Sequence, residues 1–172
     1  MLSAVEVSGC VLRREPMPVA TDPAVITSAK EYALAAVDSD GFEIVTGQLA
    51  LQRTQNSEVR AYAQGMIEHH TMTSDRLLRA AGAPGVAPPP GPLSRPKLAA
   101  FDALHAQVGF AFDRAYIDAQ IASHEQALAL HSGYAQAGTE PRLRRTAAAA
   151  VPVVTEHLAE ARRLQSRLAA GL

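Results

Sequence analysis

The stretch from Phe110 to His131, FAFDRAYIDAQIASHEQALALH, constrains the fold more than any other part of the chain. Steps of three and four residues from Phe110 meet Asp113, Ile117, Ile121, His124, Leu128 and His131, which form one face of an α-helix and are scattered over both faces of a strand. That face is apolar with polar breaks. His124, between Ile121 and Leu128, is aimed at whatever packs against the helix, and its partners there decide what the protein does.

Three further segments carry the same period. Thr27 and Ser28 offer an N-cap with Glu31 at capping-box spacing, so a helix should run from residue 28 to about Arg53, with Leu34, Val37, Ile44, Val45 and Leu51 on its apolar side. Around Glu43 the positions one and two turns away are Ala36, Asp40, Gly47 and Ala50. These are mostly small, which lets another backbone come close or leaves room for a bound group. After Gln55-Asn56, Ser57 caps a second helix to about Ala81, whose inner stripe reads Val59, Ala63, Met66, His70, Thr73, Leu77 and Ala81, with His69 a little off it. The helix of Phe110 ends at Gly138. A last helix begins near Glu140-Pro141 and runs towards Ala170, with Leu143, Ala147, Ala150, Val154, His157, Ala161, Leu164 and Leu168 inward. Pro152 should kink it.

Between the two pairs lies APGVAPPPGPLSRP, residues 83–96, whose prolines exclude a helical interior; Ser94 can cap a short extra helix to about Gln107. Residues 1–27 read as an extended lead with Pro16, Pro18 and Pro23. The expected organisation is therefore this lead followed by one domain over 28–172: an all-α, ferritin-like four-helix bundle of two antiparallel hairpins joined by a long Pro-rich connection. Composition agrees, with 48% hydrophobic and only 5% aromatic residues, and with good helix formers in the majority.

A formal net charge of −1 gives no general attraction to nucleic acid, and no partner of that kind is expected. The arginines Arg142, Arg144, Arg145, Arg162, Arg163 and Arg167 fall mostly off the apolar stripe and read as a solvated face. No stretch approaches the roughly 20 apolar residues that span a bilayer. The single cysteine, Cys10, permits no internal disulfide, and Val7-Ser8-Gly9-Cys10 has the look of a lipoprotein signal ending at a lipid-anchored cysteine, although Glu6 and the missing basic region depart from that pattern. A stray cysteine in an extended lead reads equally well. No Gly-rich phosphate loop, nucleophile elbow or Cys/His zinc spacing is present.

Simple arithmetic then links the polar breaks. Glu43 and His70 lie about 12 and 14 residues from the first hairpin turn, His124 and His157 about 14 and 17 from the second, and at about 1.5 Å per residue both pairs reach the same mid-height.

The motifs around these residues, Glu43 with GQLA, AQGMIEHHT, FDRAYID with SHEQAL, and VPVVTEHL, together resemble the bacterial family called domain of unknown function 4142, over about residues 28–170. The resemblance implies a ferritin-like fold and an exported protein, periplasmic or associated with the cell envelope, and it supplies no reaction. The family's Asp-His pair on the second helix corresponds to His69-His70, so His70 matches and His69 departs.

Three readings follow. In the first, Glu43, His70, His124 and His157 hold one Zn, Cu or Fe ion, with His69 and Asp113 as outer partners or alternates. A di-metal centre is not expected, because the Glu-x-x-His pairs that build it are missing. In the second, the same groups form a hydrogen-bonded layer that sets helix register, without an ion. In the third, the protein is a non-catalytic envelope or stress-related interaction module, possible as a homo-oligomer, whose exposed surface does the work. No catalytic residue is required by any of them.

Overall fold

The computed structural model describes residues 25–82 and 92–171; the Cys10 motif, the expected lead as far as residue 24 and most of the Pro-rich connection lie outside the described residues. Within them the chain is all-helical: α1 (Ala29–Arg53), α2 (Ser57–Ala80), α3 (Arg95–His105), α4 (Gly109–Ala137) and α5 (Pro141–Ala169). None of these helices is long and apolar enough to cross a membrane.

Local chemistry sets the ends. The Ser28 hydroxyl accepts from Glu31 N–H at the start of α1. At the next helix the cap is Asn56 rather than the expected Ser57: Asn56 Oδ1 accepts from both Glu58 N–H and Val59 N–H, while Ser57 is already helical. Ser94 precedes α3 but caps nothing. Its N–H and hydroxyl instead donate to the two oxygens of Asp38, tying α3 to α1. Glu140 caps α5 by accepting from Leu143 N–H, and α5 continues through Pro152. Gly138 follows α4 for a steric reason: its backbone is extended, and a Cβ there would lie 2.6 Å from the Tyr134 ring.

α1 packs on α2 and α4, and α5 packs on α4 and α2. Contacts at the helix ends give the directions. Arg53, closing α1, donates to the carbonyls of His105 and Gln107 just ahead of α4. Thr139, just after α4, donates through its N–H to the carbonyl of Thr27 just ahead of α1, so α1 and α4 run in opposite directions. Arg167 near the end of α5 pairs with Glu58 at the start of α2, which makes α2 and α5 antiparallel as well. At Gly47 the α1 and α2 backbones come close: a Cβ would meet Ile67 Cγ1 at 3.0 Å and the Ala63 carbonyl at 3.1 Å.

The core has two apolar parts. One gathers Val59, Met66, Leu104, Phe112, Tyr116, Ile117 and Leu164; the other gathers Tyr32, Leu77, Tyr134, Leu143 and Ala147. Burial confirms most of the expected stripes of α2 and α5. The inward side of α1 is a different matter. Leu34 is 62% exposed, and the buried residues are Tyr32, Ala36, Ser39, Asp40, Glu43, Thr46, Gly47 and Ala50 among others. Phe110 is exposed too, because Gly109 opens α4 ahead of the packed region and the helix buries Phe112 instead.

Candidate metal centre

Polar residues fill the space that apolar side chains leave at mid-height. α1 delivers Asp40 and Glu43, one turn apart; α2 delivers His70 and Ser74; α4 delivers Gln120, Ser123 and His124; and α5 delivers His157, all of them buried. Burial on this scale obliges each group to find a partner or to lose several kcal/mol, on the order of the cost of an unpaired buried polar group.

His70 is the hub. Its Nδ1–H donates to Asp40 Oδ1 at 2.8 Å and lies 3.0 Å from Glu43 Oε2. Asp40 also accepts at its second oxygen from Thr73 and Ser74, the acceptor pattern of a carboxylate. Glu43 Oε1 accepts from Ser123 at 2.9 Å and faces His124 Nδ1 at 3.7 Å. Burial opposes the charge on both members of the pair, yet their attraction wins. Burial would lower the His70 imidazolium, but the Glu43 charge and the hydrogen bonds to Asp40 and Glu43 raise it to about 10. Burial would likewise raise Glu43, but the imidazoles of His70 and His124 hold it well below the usual carboxylate range.

On the far side of these rings the pattern reverses. His124 Nδ1–H donates to the Gln120 carbonyl at 2.8 Å, and His157 Nε2 is joined to His69 Nδ1 at 2.8 Å. Each of the three rings is thus held by one nitrogen. The other nitrogen, Nε2 of His70 and of His124 and Nδ1 of His157, is buried without a hydrogen-bond partner. The ring centroids stand 5.5, 5.3 and 5.4 Å apart, and one nitrogen from each ring lies within 4.8 Å of the other two. His124 is shifted down by burial, and His157 is lowered to about 3 by burial and by the neighbouring His70, His124 and His69. Both therefore carry lone pairs at neutral pH, the form in which imidazole binds metal.

The structure brings His70, His124 and His157 together and sets Glu43 with Asp40 on the Nδ1 side of His70, as a second group of possible ligands. His69 stacks beside His157 at 4.9 Å between centroids with an exposed body. Asp113 is apart from all of them: it is buried, and eleven residues of α4 place it about 16 Å from His124. Ser74, Gln120 and Ser123 are residues that sequence reasoning did not name, and Asp40 entered it only as a neighbour of Glu43, without a role. A usable signal existed in the Asp40-x-x-Glu43 and Gln120-x-x-x-His124 spacings, which put each pair on one helix face.

An all-helical chain with a buried cluster of histidines and carboxylates is the class that fold and site define together. The family model described as Domain of unknown function (DUF4142) matches residues 14–164, and the chain belongs to that family. No curated protein and no solved structure matches it.

Proposed function

We propose that the protein is an exported, ferritin-like four-helix bundle that holds one divalent transition-metal ion, Zn, Cu or Fe, through His70, His124 and His157. One observation carries the reading: three buried imidazoles converge, each fixed by one nitrogen and each presenting the other with no partner. Metal-binding histidines are oriented in this way, with the outer nitrogen hydrogen-bonded to a carboxylate, a carbonyl or a water; here a second imidazole takes that place at His157. Asp40, the Gln120 carbonyl and His69 fill those outer roles here. Among the described residues no lysine or arginine is buried, so the negative charge of the Asp40–Glu43 pair is only partly met by one imidazolium, and a divalent cation would balance it fully. The ion, when bound, would supply Lewis acidity or electron transfer; the protein supplies the donors, their orientation and exclusion of water.

A second reading draws on the clamp around His70. An imidazolium between two carboxylates gives each buried acid a partner without any metal, and the cluster would then be a register-setting layer. Elemental analysis of protein purified without a histidine tag, alongside His70→Ala and His157→Ala, separates the two. About one equivalent of metal that is lost in both variants supports the centre. Protein that carries no metal and takes up none on titration with Zn, Cu(II) or Fe(II) leaves the structural layer.

A further inference from the structure

Where α2 ends and α5 begins, the seam between them opens into a cavity of about 480 Å³, within the size range of small-molecule sites. Its walls are largely apolar, with Leu77, Ala80, Ala149 and Val153 among them, while Arg76, Arg79, Arg142 and Arg145 stand around it. Arg95 and Arg114 aside, the described arginines elsewhere are engaged, Arg53 and Arg60 by backbone carbonyls. Arg162 pairs with Glu125, Arg163 with Glu160 and Arg167 with Glu58, and Arg144 donates to the Ala135 carbonyl. Arg79 is engaged by Asp75. Arg76, Arg142 and Arg145 have neither an ion pair nor a side-chain hydrogen bond among the described residues, and all three line this one cavity.

The acidic group on the wall is already occupied. Asp40 accepts from His70, Thr73 and Ser74, so it has little left with which to hold the arginines. His131 adds a buried polar wall, with its Nδ1 joined to the Tyr32 hydroxyl at 2.9 Å. Apolar lining with three uncommitted guanidinium groups at the rim is the chemistry of a ligand with two different ends, because guanidinium binds carboxylate and phosphate through paired N–H donors and cannot lose its charge.

We infer that this cavity binds an amphipathic anion, an apolar chain or ring bearing one carboxylate or phosphate, with the apolar part against Leu77, Ala80, Ala149 and Val153 and the head held by Arg76, Arg142 and Arg145. The site uses none of the three converging histidines as a ligand to the anion and stands whether or not a metal is bound.

The test is calorimetric titration of the full chain, kept in EDTA, with dodecanoate, dodecyl phosphate, uncharged dodecyl maltoside and inorganic phosphate. Saturable binding of dodecanoate or dodecyl phosphate at one site, about tenfold or more tighter than either of the other two, is the expected result. Preference between the two heads tells a carboxylate source from a phosphate source. Arg142→Ala with Arg145→Ala, both on exposed positions, should weaken binding by at least about tenfold, and Ala149→Phe should abolish it by filling the cavity. Arg114→Ala, on a different face, should leave it unchanged. Helical circular dichroism confirms that each variant is folded. The inference is overturned if neither amphiphile saturates, if the maltoside or inorganic phosphate binds equally well, or if folded Arg142/Arg145 and Ala149 variants bind as the parent does.

Discussion

Raising the pH from 7 to 9 should destabilise the metal-free protein by about 2–3 kcal/mol, through the coupled His70–Glu43 pair. In the folded chain its imidazolium persists to about pH 10, whereas an unfolded histidine releases its proton near pH 6.5. The raised value means that this contribution is fully present below about pH 6.5 and is lost as pH climbs towards 10. Each unit in that window removes about 1.4 kcal/mol, for a total near 5 kcal/mol, counted once for the coupled His70–Glu43 pair. On the acid side the other buried histidines act in the opposite sense. Burial lowers His124 and His131, and burial with its neighbours lowers His157. The unfolded chain thus gains protons there that the folded chain refuses, and stability falls again below about pH 6.5. Tyr32, Tyr62 and Tyr116 are pushed up by burial and do not enter between pH 7 and 9. Urea unfolding in EDTA, followed by helical circular dichroism at pH 7, 8 and 9, reads the slope. A zinc-saturated sample should lose it, because the ion replaces the Nε2 proton. Stability that is level or rising from pH 7 to 9 in EDTA would refute the buried imidazolium and the ion pair built on it.

Asp40→Asn keeps the shape but removes the carboxylate behind His70, and should weaken zinc binding about 10- to 100-fold in a competition titration with a chelator of known affinity. Asn56→Ala deletes the acceptor for two α2 N–H groups and should cost about 1 kcal/mol in urea unfolding at pH 7. Gly47→Leu drives a side chain into the Ala63 carbonyl and Ile67; a loss of about 1–3 kcal/mol is expected, and an unchanged midpoint would mean that α1 and α2 are not held so close. Leu34→Gln, on an exposed position, should stay within about 0.5 kcal/mol of the parent.

The helices were legible because their boundaries rest on short-range chemistry: Ser28 and Glu140 act on N–H groups three residues away, a reach the sequence displays directly. The competition between Asn56 and Ser57 was not, since both residue types cap helices and only backbone direction chose Asn56. Counting residues from the two turns was enough to put three histidines at one height. It could not say which ring edge faced which neighbour, so Glu43 was grouped with the imidazoles as an equal, whereas the structure has it behind two of them. Asp40 was read as a neighbour of Glu43 and given no role for a related reason. The inward face of α1 is built from Tyr, Ala, Ser, Gly and acidic residues, and a search for Leu, Ile and Val there settles on Leu34, which points to solvent. Where polar groups make the core, apolar periodicity marks the wrong stripe.

The bond between Thr139 and the Thr27 carbonyl also decides at which end of the molecule the first described residues lie. Val25 itself lies against the last turns of α4, at the end that carries Arg142 and Arg145, with the α1–α2 turn at the opposite extreme. A tether attached at Val25 itself would draw the arginine-rimmed end towards its point of attachment and leave Asn56 outermost. A bead or surface coupled through that side would crowd the cavity, and a reporter coupled near Asn56 would leave it open.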